Sequence, residues 1–504
     1  MPTLTRSLGQ TQRVEKGLYL DWPKDLIPEG ALSDGQNVEP DLGIMRQVPG
    51  WAKYSTTAIP GTGPVMLIAD FLTAAGVRSL LACSTTRLSK YNVGTNVFDD
   101  VTGGAQLLTG NSLNPIFYGV LNDLFVLTNG VNTPKKYDGT TWEALGGSPP
   151  SLLVGLDIYE GHVLGWNTGT VGYRTQWTDL NAPENWTTGE AGTLDIRDDN
   201  LAPILAGGKM GRQYLLYKEG ARGGVYAMTY VGTPLIMQVE RVTADLGVFC
   251  PKAVAVVGDV HFVLAADEQM YAIAPGAAPR PIGEQVRKRA FAGLNYAARN
   301  ACWVAIHPAK KQVIFAMPHG TSTTASRAYL YHWPTDSWGE REITLQVGAW
   351  MRDPETTTID DLTGTIDALS GTIDSLSSDA RDRFFVGGIG SSAFVYTYES
   401  SISMDGVAVD AWVTGRWVGS GDGRMMRTRG VEVEHSGPLA AEMGAAPSIA
   451  GTASYTALGN VSGGRADANQ SSQYLVPRFR TQGGATAAWE LSGYRLDAYP
   501  RGRR

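Results

Sequence analysis

The stretch LNDLFVLTNG (residues 121–130) decides the fold, because its pattern of a turn followed by an apolar strand recurs elsewhere in the chain. Its Asn-Asp turn leads into the apolar run FVL, and in VGDVHFVLAADE (residues 257–268) a Gly-Asp turn leads into the same run. A looser third copy is YEGHVLGW (residues 159–166). Turns of this kind close tight hairpins because their central residues tolerate positive φ. The pattern predicts a repeated unit of short antiparallel strands.

Each unit also carries an aromatic side chain on a later strand. The positions are Tyr91, Tyr137, Trp177, Tyr226, Tyr271, Tyr331 and Tyr396, and Trp142 and Trp338 follow two of them across a turn. The first five lie 40–49 residues apart, a period typical of the four-stranded blades of a β-propeller. We therefore predict a β-propeller of about six to eight blades over residues 64–402.

One of these turns resembles part of a catalytic-propeller motif. In KKYDGTTWEALGG (residues 135–147) an Asp-Gly pair precedes Thr-Trp, as in the Asp-box of glycan-cleaving propellers. That motif needs a spacer between Asp and Gly, whereas Asp138 and Gly139 are adjacent and no Ser precedes them. The stretch is instead predicted to be a hairpin in which Tyr137 and Trp142 pack across the turn.

The composition agrees with an all-β protein. The 504 residues include 61 Gly, 26 Pro, 13 Trp and 21 Tyr, and only 18% are charged, which favours short strands joined by many turns. The net charge of −7 excludes a chain that is basic as a whole. No secretory leader and no apolar run long enough for a membrane helix are readable. The three cysteines, far apart and odd in number, favour buried free thiols made in a reducing cytoplasm.

Three segments flank or interrupt the predicted propeller. Residues 1–63 are rich in turns and are predicted to be an extended N-terminal arm. Residues 403–504 contain strands such as RGVEVEH, whose alternation predicts a C-terminal β-sandwich-like domain. Residues 358–378 repeat a seven-residue unit three times and are predicted to be an insertion. Its Ile and Leu spacing is that of a coiled coil, but Gly364 and Gly371 favour a loop of short turns.

No constellation for chemistry is readable. The six histidines form no pair at metal-ligand spacing, and HExxH, CxxC, GxSxG and phosphate-loop motifs are missing from the sequence. The acceptors of DIRDDN (residues 195–200) lack the spacing of a calcium loop and read better as a solvated turn. We expect no enzymatic activity, no catalytic residue, no metal and no cofactor.

The arm resembles a segment of a known family. In ALSDGQNVEPDLGIMRQVPGW (residues 31–51), Asn37, Gly43, Arg46, Pro49 and Gly50 match the pattern near the start of tail nozzle and tail hub (tail tubular) proteins of short-tailed bacteriophages. The segment RTQWTDLNAPENW (residues 174–186) and the heptapeptide repeats are similar to features of the same proteins. In this family Arg, Pro and Gly are often adjacent, whereas here Gln47 and Val48 intervene.

The resemblance implies a structural virion protein that forms a ring of probable hexameric symmetry at the distal tail. Such a ring extends the DNA ejection channel and anchors fibres or spikes. The implied partners are other copies of the chain, portal-adaptor proteins, tail fibre or spike proteins, and genomic DNA that passes through the lumen without specific binding. The implied location is the tail of the virion, after synthesis in the host cytoplasm.

Two further expectations follow from the sequence. Gly43 and Gly50 are predicted to occupy turn positions, so that Gly50→Val harms folding more than Gly50→Ala, and Arg46 is predicted to make a polar contact with a neighbouring element. The alternative function is a carbohydrate- or receptor-binding propeller for host recognition, in which some of the tryptophans would stack on sugars.

Overall fold

The N-terminal arm is a series of short strands. The computed structural model describes residues 11–104, 107–198, 201–354, 382–390, 393–420 and 423–500. The arm strands are β1 (Gln12–Arg13), β2 (Gly17–Leu18), β3 (Ala31–Leu32), β4 (Asp34–Gln36), β5 (Val38–Asp41), β6 (Ile44–Gln47) and β7 (Trp51–Lys53).

The middle of the chain forms four-stranded antiparallel sheets, one after another. The first three blades are β8 (Leu67–Leu72), β9 (Arg78–Cys83), β10 (Leu88–Asn92) and β11 (Val97–Asp100); β12 (Phe117–Leu121), β13 (Leu124–Thr128), β14 (Lys135–Tyr137) and β15 (Trp142–Ala144); and β16 (Gly155–Tyr159), β17 (His162–Trp166), β18 (Arg174–Trp177) and β19 (Gly192–Asp195). The next two are β20 (Ile204–Met210), β21 (Gln213–Lys218), β22 (Val225–Gly232) and β23 (Ile236–Thr243); and β24 (Val254–Val257), β25 (Val260–Ala265), β26 (Gln269–Ile273) and β27 (Arg280–Pro281).

Two short helical segments precede the last two blades. The segments are α1 (Arg287–Ala292) and a 3₁₀ turn (Tyr296–Ala301). Blade 6 is β28 (Trp303–His307), β29 (Gln312–Met317), β30 (Arg327–His332) and β31 (Ser337–Glu342), and the chain of blade 7 is β32 (Leu345–Arg352), β33 (Asp382–Gly388) and β34 (Val395–Tyr398).

The described residues close these sheets into a seven-bladed β-propeller. The first strand of each blade packs against the first strand of the next, and β32 of blade 7 packs against β8 of blade 1. Blade 7 obtains its fourth strand from the arm, because β7 pairs with β34, with Trp51 opposite Tyr398. Strands that are far apart in the sequence therefore complete the ring.

The predicted turns lie at the hairpins that begin the blades. Asn122 and Asp123 both have positive φ, 49° and 62°, between β12 and β13. Glu160 and Gly161 have φ of 46° and 78° in the equivalent turn of blade 3, and Gly258 has φ of 56° in that of blade 5. These backbone conformations are those that Asn, Asp and Gly accept most readily.

The rest of the chain forms a β-sandwich. It is preceded by two short strands, β35 (Ser403–Met404) and β36 (Val407–Ala408), which extend the sheet of blade 7 beyond β7. The sandwich strands are β37 (Trp412–Thr414), β38 (Val418–Gly419), β39 (Met426–Ser436), β40 (Leu439–Ala446), β41 (Ser454–Asn460), β42 (Arg465–Asp467), β43 (Ser471–Ser472), β44 (Tyr474–Thr481) and β45 (Glu490–Pro500). One sheet contains β45, β39 and β42, and the other contains β37, β44, β40 and β41. Val431, Met443, Phe479, Trp489 and Leu491 belong to the shared core of buried side chains.

The arm joins the sandwich to the propeller. Strand β4 pairs with β37 in one sheet of the sandwich, and β6 pairs with β45 in the other. Strand β5 pairs with both β6 and β31, so the outer edge of blade 6 continues into a sandwich sheet. The prediction of an all-β propeller with an extended arm and a C-terminal sandwich is confirmed.

The division of the chain into residues 1–63, 64–402 and 403–504 stays a prediction. The heptapeptide repeats at 358–378 lie outside the described residues.

Trp338 offers a test of how tightly adjacent blades are joined. The indole of Trp338 is fully buried in blade 6, and its Nε1 donates to the Ile282 carbonyl oxygen of the segment after blade 5, at 2.9 Å. Because Phe cannot donate this hydrogen bond and leaves a void, Trp338→Phe should lower the free energy of unfolding by about 2–3 kcal/mol. Urea unfolding followed by tryptophan fluorescence measures this loss.

The matched control is Trp22→Phe, because Trp22 is 41% exposed. This variant should stay within about 0.5 kcal/mol of the unsubstituted chain. Equal losses in both variants would contradict the role given to Trp338.

Candidate functional site at the junction of propeller, arm and sandwich

Asn37 connects the propeller with the sandwich. Its side chain is buried, and its Nδ2 donates to the Asp410 carbonyl oxygen at the entrance to the sandwich, at 2.9 Å. Its Oδ1 accepts the backbone N–H of Glu342 at the end of blade 6, also at 2.9 Å. A φ of 57° allows this placement between β4 and β5, and Asn is one of the residue types that tolerate it. One amide therefore ties the arm to both neighbours.

A buried group of charges lies beside it. Glu39 on β5 is fully buried, and its Oε1 accepts Arg46 Nε from β6 at 2.8 Å and Lys310 Nζ at 2.6 Å. Lys310 lies in the β28–β29 turn of blade 6 and also pairs with Glu399, which follows blade 7. Arg46 makes a second ion pair with Asp41 at 3.0 Å. The polar contact predicted for Arg46 is thus an ion pair within the arm.

The electrostatics of this group show why it is held together. Burial alone would raise the pKa of Glu39, but Lys310 and Arg46 outweigh burial and lower that pKa to about 2. Burial lowers the pKa of Lys310 to about 8, against the opposing effect of Glu39. Burial and the nearby Lys310 also lower the pKa of His307 to about 4. Near neutral pH this histidine is neutral while Glu39 is ionised.

Arg341 anchors the end of the arm. This arginine of β31 is 1% exposed, and its Nη2 donates to the Pro49 carbonyl oxygen at 3.1 Å. Its Nη1 donates to the Tyr398 hydroxyl of β34. The guanidinium lies over the rings of Trp51 and Tyr398, with centroid distances of 5.0 and 4.8 Å, which is the geometry of a cation–π contact. Blade 6, blade 7 and the closing strand β7 meet at this side chain.

The two glycines of the arm have different roles. Gly43 has φ of 90° in the β5–β6 hairpin, as the turn prediction requires. Gly50 does not have positive φ, and a Cβ placed on it would lie 1.8 Å from the Ser403 carbonyl oxygen. Its backbone N–H donates to the Ser401 carbonyl oxygen at 2.7 Å. The predicted turn role of Gly50 is wrong, because close approach of two backbones is what excludes a side chain there.

The charged group around Glu39 lines a cleft of about 1150 Å³ between propeller and sandwich. Its walls include Glu39, Arg46, Lys310, Glu399 and Glu490. Acidic and basic groups in the wall are paired with one another, and these ion pairs join the arm to the propeller. Within the described part of the chain, no group of three or more His, Cys, Asp or Glu side chains is placed to hold a metal ion.

The predicted blade aromatics occupy repeat-equivalent strands. Tyr91, Tyr137, Trp177, Tyr226, Tyr271, Tyr331 and Tyr396 all lie on the third strand of a blade, and Trp142 and Trp338 lie on a fourth strand. Tyr137 pairs with Trp142, and Tyr331 pairs with Trp338, directly across their hairpins. Tyr271 and Tyr396 are partly buried and the other seven are buried. They pack the blades and do not gather at the junction.

A lysine links blades that are not neighbours in the ring. Lys252 precedes the first strand of blade 5, and its Nζ donates to the Met66 carbonyl oxygen next to blade 1 at 3.3 Å. The ring of Phe117, at the start of blade 2, is 5.9 Å from the same nitrogen. Burial lowers the pKa of Lys252 to about 8. Lys252 therefore connects blade 5 with blades 1 and 2, from which it is separated in the ring.

Sequence reasoning missed the partners of the arm. Glu39, Lys310, Arg341 and Glu399 carry the junction, but each belongs to a different part of the chain. A buried charge has no local signature, since its neighbours in the sequence read as an ordinary turn or strand. The available signal was indirect: Glu39 and Arg46 flank the turn predicted at Gly43, and in the structure they face each other across it.

Comparison with known proteins finds structural likenesses at low identity and no family. The sequence matches no family model and none of the curated proteins. The WD40 β-propeller domain of Doa1 resembles the chain at 10% identity and a TM-score of 0.39, covering 70% of this chain and 98% of that one. YCF48 from Cyanidioschyzon merolae resembles it at 9% and 0.38, covering 69% and 98%. The computationally designed Ika8 protein does so at 9% and 0.37, covering 69% and 99%.

At such TM-scores these likenesses carry no argument, and the assignment of a β-propeller rests on the closed ring of blades. Across the described ranges no helix has the length and apolar character needed to cross a membrane.

Gly50 provides a direct test of the junction. Gly50→Ala places a methyl group against the Ser403 carbonyl oxygen, so we expect a severe loss of soluble, folded protein, as severe as for Gly50→Val. Soluble yield and melting temperature measure the effect.

The matched control is Gly43→Ala. At Gly43 an added Cβ meets nothing nearer than Glu15 Cβ at 3.8 Å, and only the positive φ is unfavourable. A loss of about 1 kcal/mol is expected there. Tolerance of Gly50→Ala at the level of Gly43→Ala would refute the close approach.

The lowered pKa of Glu39 predicts a contribution to stability that is lost in acid. Because its pKa is lowered from 4.5 to about 2 in the folded chain, its stabilisation is complete above pH 4.5 and is lost as the pH falls towards 2. Glu39→Gln should therefore cost about 3 kcal/mol at pH 6, and the difference from the unsubstituted chain should shrink between pH 4.5 and 2.

Urea titrations at each pH measure this difference. Glu284→Gln is the control, since Glu284 is exposed, and its difference should be near zero throughout. A Glu39→Gln difference that does not change with pH would contradict the ionised, paired state of Glu39.

Proposed function

We propose that this chain is a structural subunit of the tail of a short-tailed bacteriophage, where several copies form a closed ring of tail nozzle or tail hub type. The proposal is supported by where the structure places the five arm residues that carry the resemblance. Asn37, Arg46, Pro49 and Gly50 all make contacts of the joint between propeller and sandwich, and Gly43 turns the hairpin between them.

A rigid junction between propeller and sandwich suits a subunit of a ring. Copies in a ring meet through heterologous contacts, and the ring closes only if each copy holds its two contact surfaces at a fixed angle. Here Asn37, Glu39 and Arg341 each bind elements from more than one part of the molecule. The propeller and the sandwich would thus present their surfaces as one rigid block.

The channel for DNA would lie between the copies and not inside a propeller. Lys252 contacts Met66 beside blade 1 and Phe117 of blade 2 from its place before blade 5, and such contacts between separated blades would narrow a passage through the propeller. A net charge of −7 suits a conduit that does not retain its cargo, because phosphate contacts with cationic side chains would slow release. The ring would be hexameric, would sit below portal-adaptor proteins and would anchor fibres or spikes.

The burial of the tryptophans weighs against the carbohydrate-binding alternative. Among the 13 tryptophans, those buried in the core are Trp51, Trp142, Trp166, Trp177, Trp186, Trp303, Trp338 and Trp489. A buried indole has no free face on which a sugar could stack. Trp22 is 41% exposed and is the best remaining candidate for such contact.

The decisive measurement is an electron cryo-microscopy map of the intact particle that contains this chain. We expect several copies around the tail axis, lining a channel wide enough for duplex DNA. A single copy placed away from the axis would overturn the proposal.

The second part of the test is glycan-array binding of the purified chain, with Trp22→Ala as the matched variant. No retained glycan is expected for either protein. Glycan binding that is lost in Trp22→Ala, together with an off-axis position, would establish the alternative function.

A further inference from the structure

Two of the three cysteines are brought together between blades 5 and 6. Cys250 lies just before the first strand of blade 5, and Cys302 lies immediately before the first strand of blade 6. The segments that contain them run side by side, with a parallel bridge between Lys252 and Trp303. The Val304 N–H donates to the Lys252 carbonyl oxygen at 3.0 Å.

Both thiols share one buried environment. Cys250 and Cys302 are 0% and 1% exposed and belong to the same apolar core. The Cys250 thiol, together with burial, raises the pKa of the Cys302 thiol, so the two groups lie within interaction range of each other. Cys83 belongs to a different core cluster, and its Sγ donates to the Ser84 carbonyl oxygen at 3.2 Å. The spacing in the sequence, 52 positions between the two partners, gave no sign of the pair.

We propose that Cys250 and Cys302 are a disulfide-forming pair, free in a reducing environment and joined by a covalent bond between blades 5 and 6 under oxidation. The Lys252–Trp303 bridge holds the two segments side by side, and both thiols face the same core, as a disulfide between them requires. The proposal does not depend on the function proposed above.

The oxidant must be small, because the site is buried. With hydrogen peroxide, one thiolate attacks the O–O bond to give a sulfenic acid and releases water after protonation. The second thiol then attacks the sulfenic sulfur, which forms the S–S bond and releases a second water. Two thiols and one peroxide thus give one disulfide and two waters.

The reaction should be slow. Burial and the contact with Cys250 raise the pKa of Cys302, so little thiolate is present near neutral pH. This environment fits a structural bond that forms once and persists, and does not fit a rapid redox sensor. The bond would reinforce the border of blade 6, the blade whose outer strand β31 pairs with the arm.

The test uses the full chain, exposed to hydrogen peroxide and then quenched and denatured. Free thiols are counted with a thiol reagent, and linked peptides are identified by mass spectrometry. We expect one free thiol per chain after oxidation, restored to three by a reductant, with Cys250 linked to Cys302. The Cys83→Ser variant should retain no free thiol, and its cross-link should be unchanged.

The variants Cys250→Ser and Cys302→Ser should give no internal cross-link, with Cys250→Ala replacing any serine variant that fails to fold. Oxidised protein should melt at a higher temperature than reduced protein, and this shift should vanish in Cys302→Ser. The proposal is overturned if three thiols survive oxidation, if Cys83 joins the cross-link, or if the pair converts to sulfinic acids without a disulfide.

Discussion

The buried ion pairs of Glu39 are the constraint on which the joining of the arm to the propeller depends, and the arm in turn pairs with both sheets of the sandwich. A carboxylate removed from water is strongly unfavourable unless cations and hydrogen bonds replace the solvent. Glu39 is fully buried on the arm, and the cations that compensate it come from β6 and from a turn of blade 6. The carboxylate is therefore satisfied only when arm and propeller occupy their observed positions. Such pairs contribute modestly to net stability, but breaking one leaves an uncompensated charge, so they select a single arrangement.

The strand pairing also requires the arm to be in its observed position. Strand β7 near the start of the chain completes blade 7, and β6 completes a sandwich sheet through β45 near the end. Neither the ring nor the sandwich can close before the arm is in place. Because such pairings join distant parts of the sequence, loop-closure entropy must be overcome before they become favourable. The arm thus couples the formation of both halves, and Arg341 and Gly50 lie where that coupling is tightest.

The parts of this fold that sequence could predict are those with local causes. Asn122 and Asp123 mark a hairpin because few residues accept two successive positive φ values, and Tyr137 and Trp142 mark the blade because they face each other across one turn. Gly50 was misjudged because its constraint is the Ser403 carbonyl oxygen, which is 353 positions away in the chain. Lys310 and Cys302 were missed for the same reason, since their partners Glu39 and Cys250 are set only by the tertiary fold.

The low identity to other propellers follows from the same physics. A blade needs apolar strands, hairpin turns and a few packed aromatics, and many sequences satisfy these conditions. The propeller consequently says little about function, which has to be argued from features that a blade does not require. The junction is such a feature, because a propeller can close without Asn37, Glu39 or a sandwich beside it. The junction holds the sandwich at one angle to the propeller, and the proposed assembly, in which each copy must meet the next at a fixed rotation, would depend on that angle.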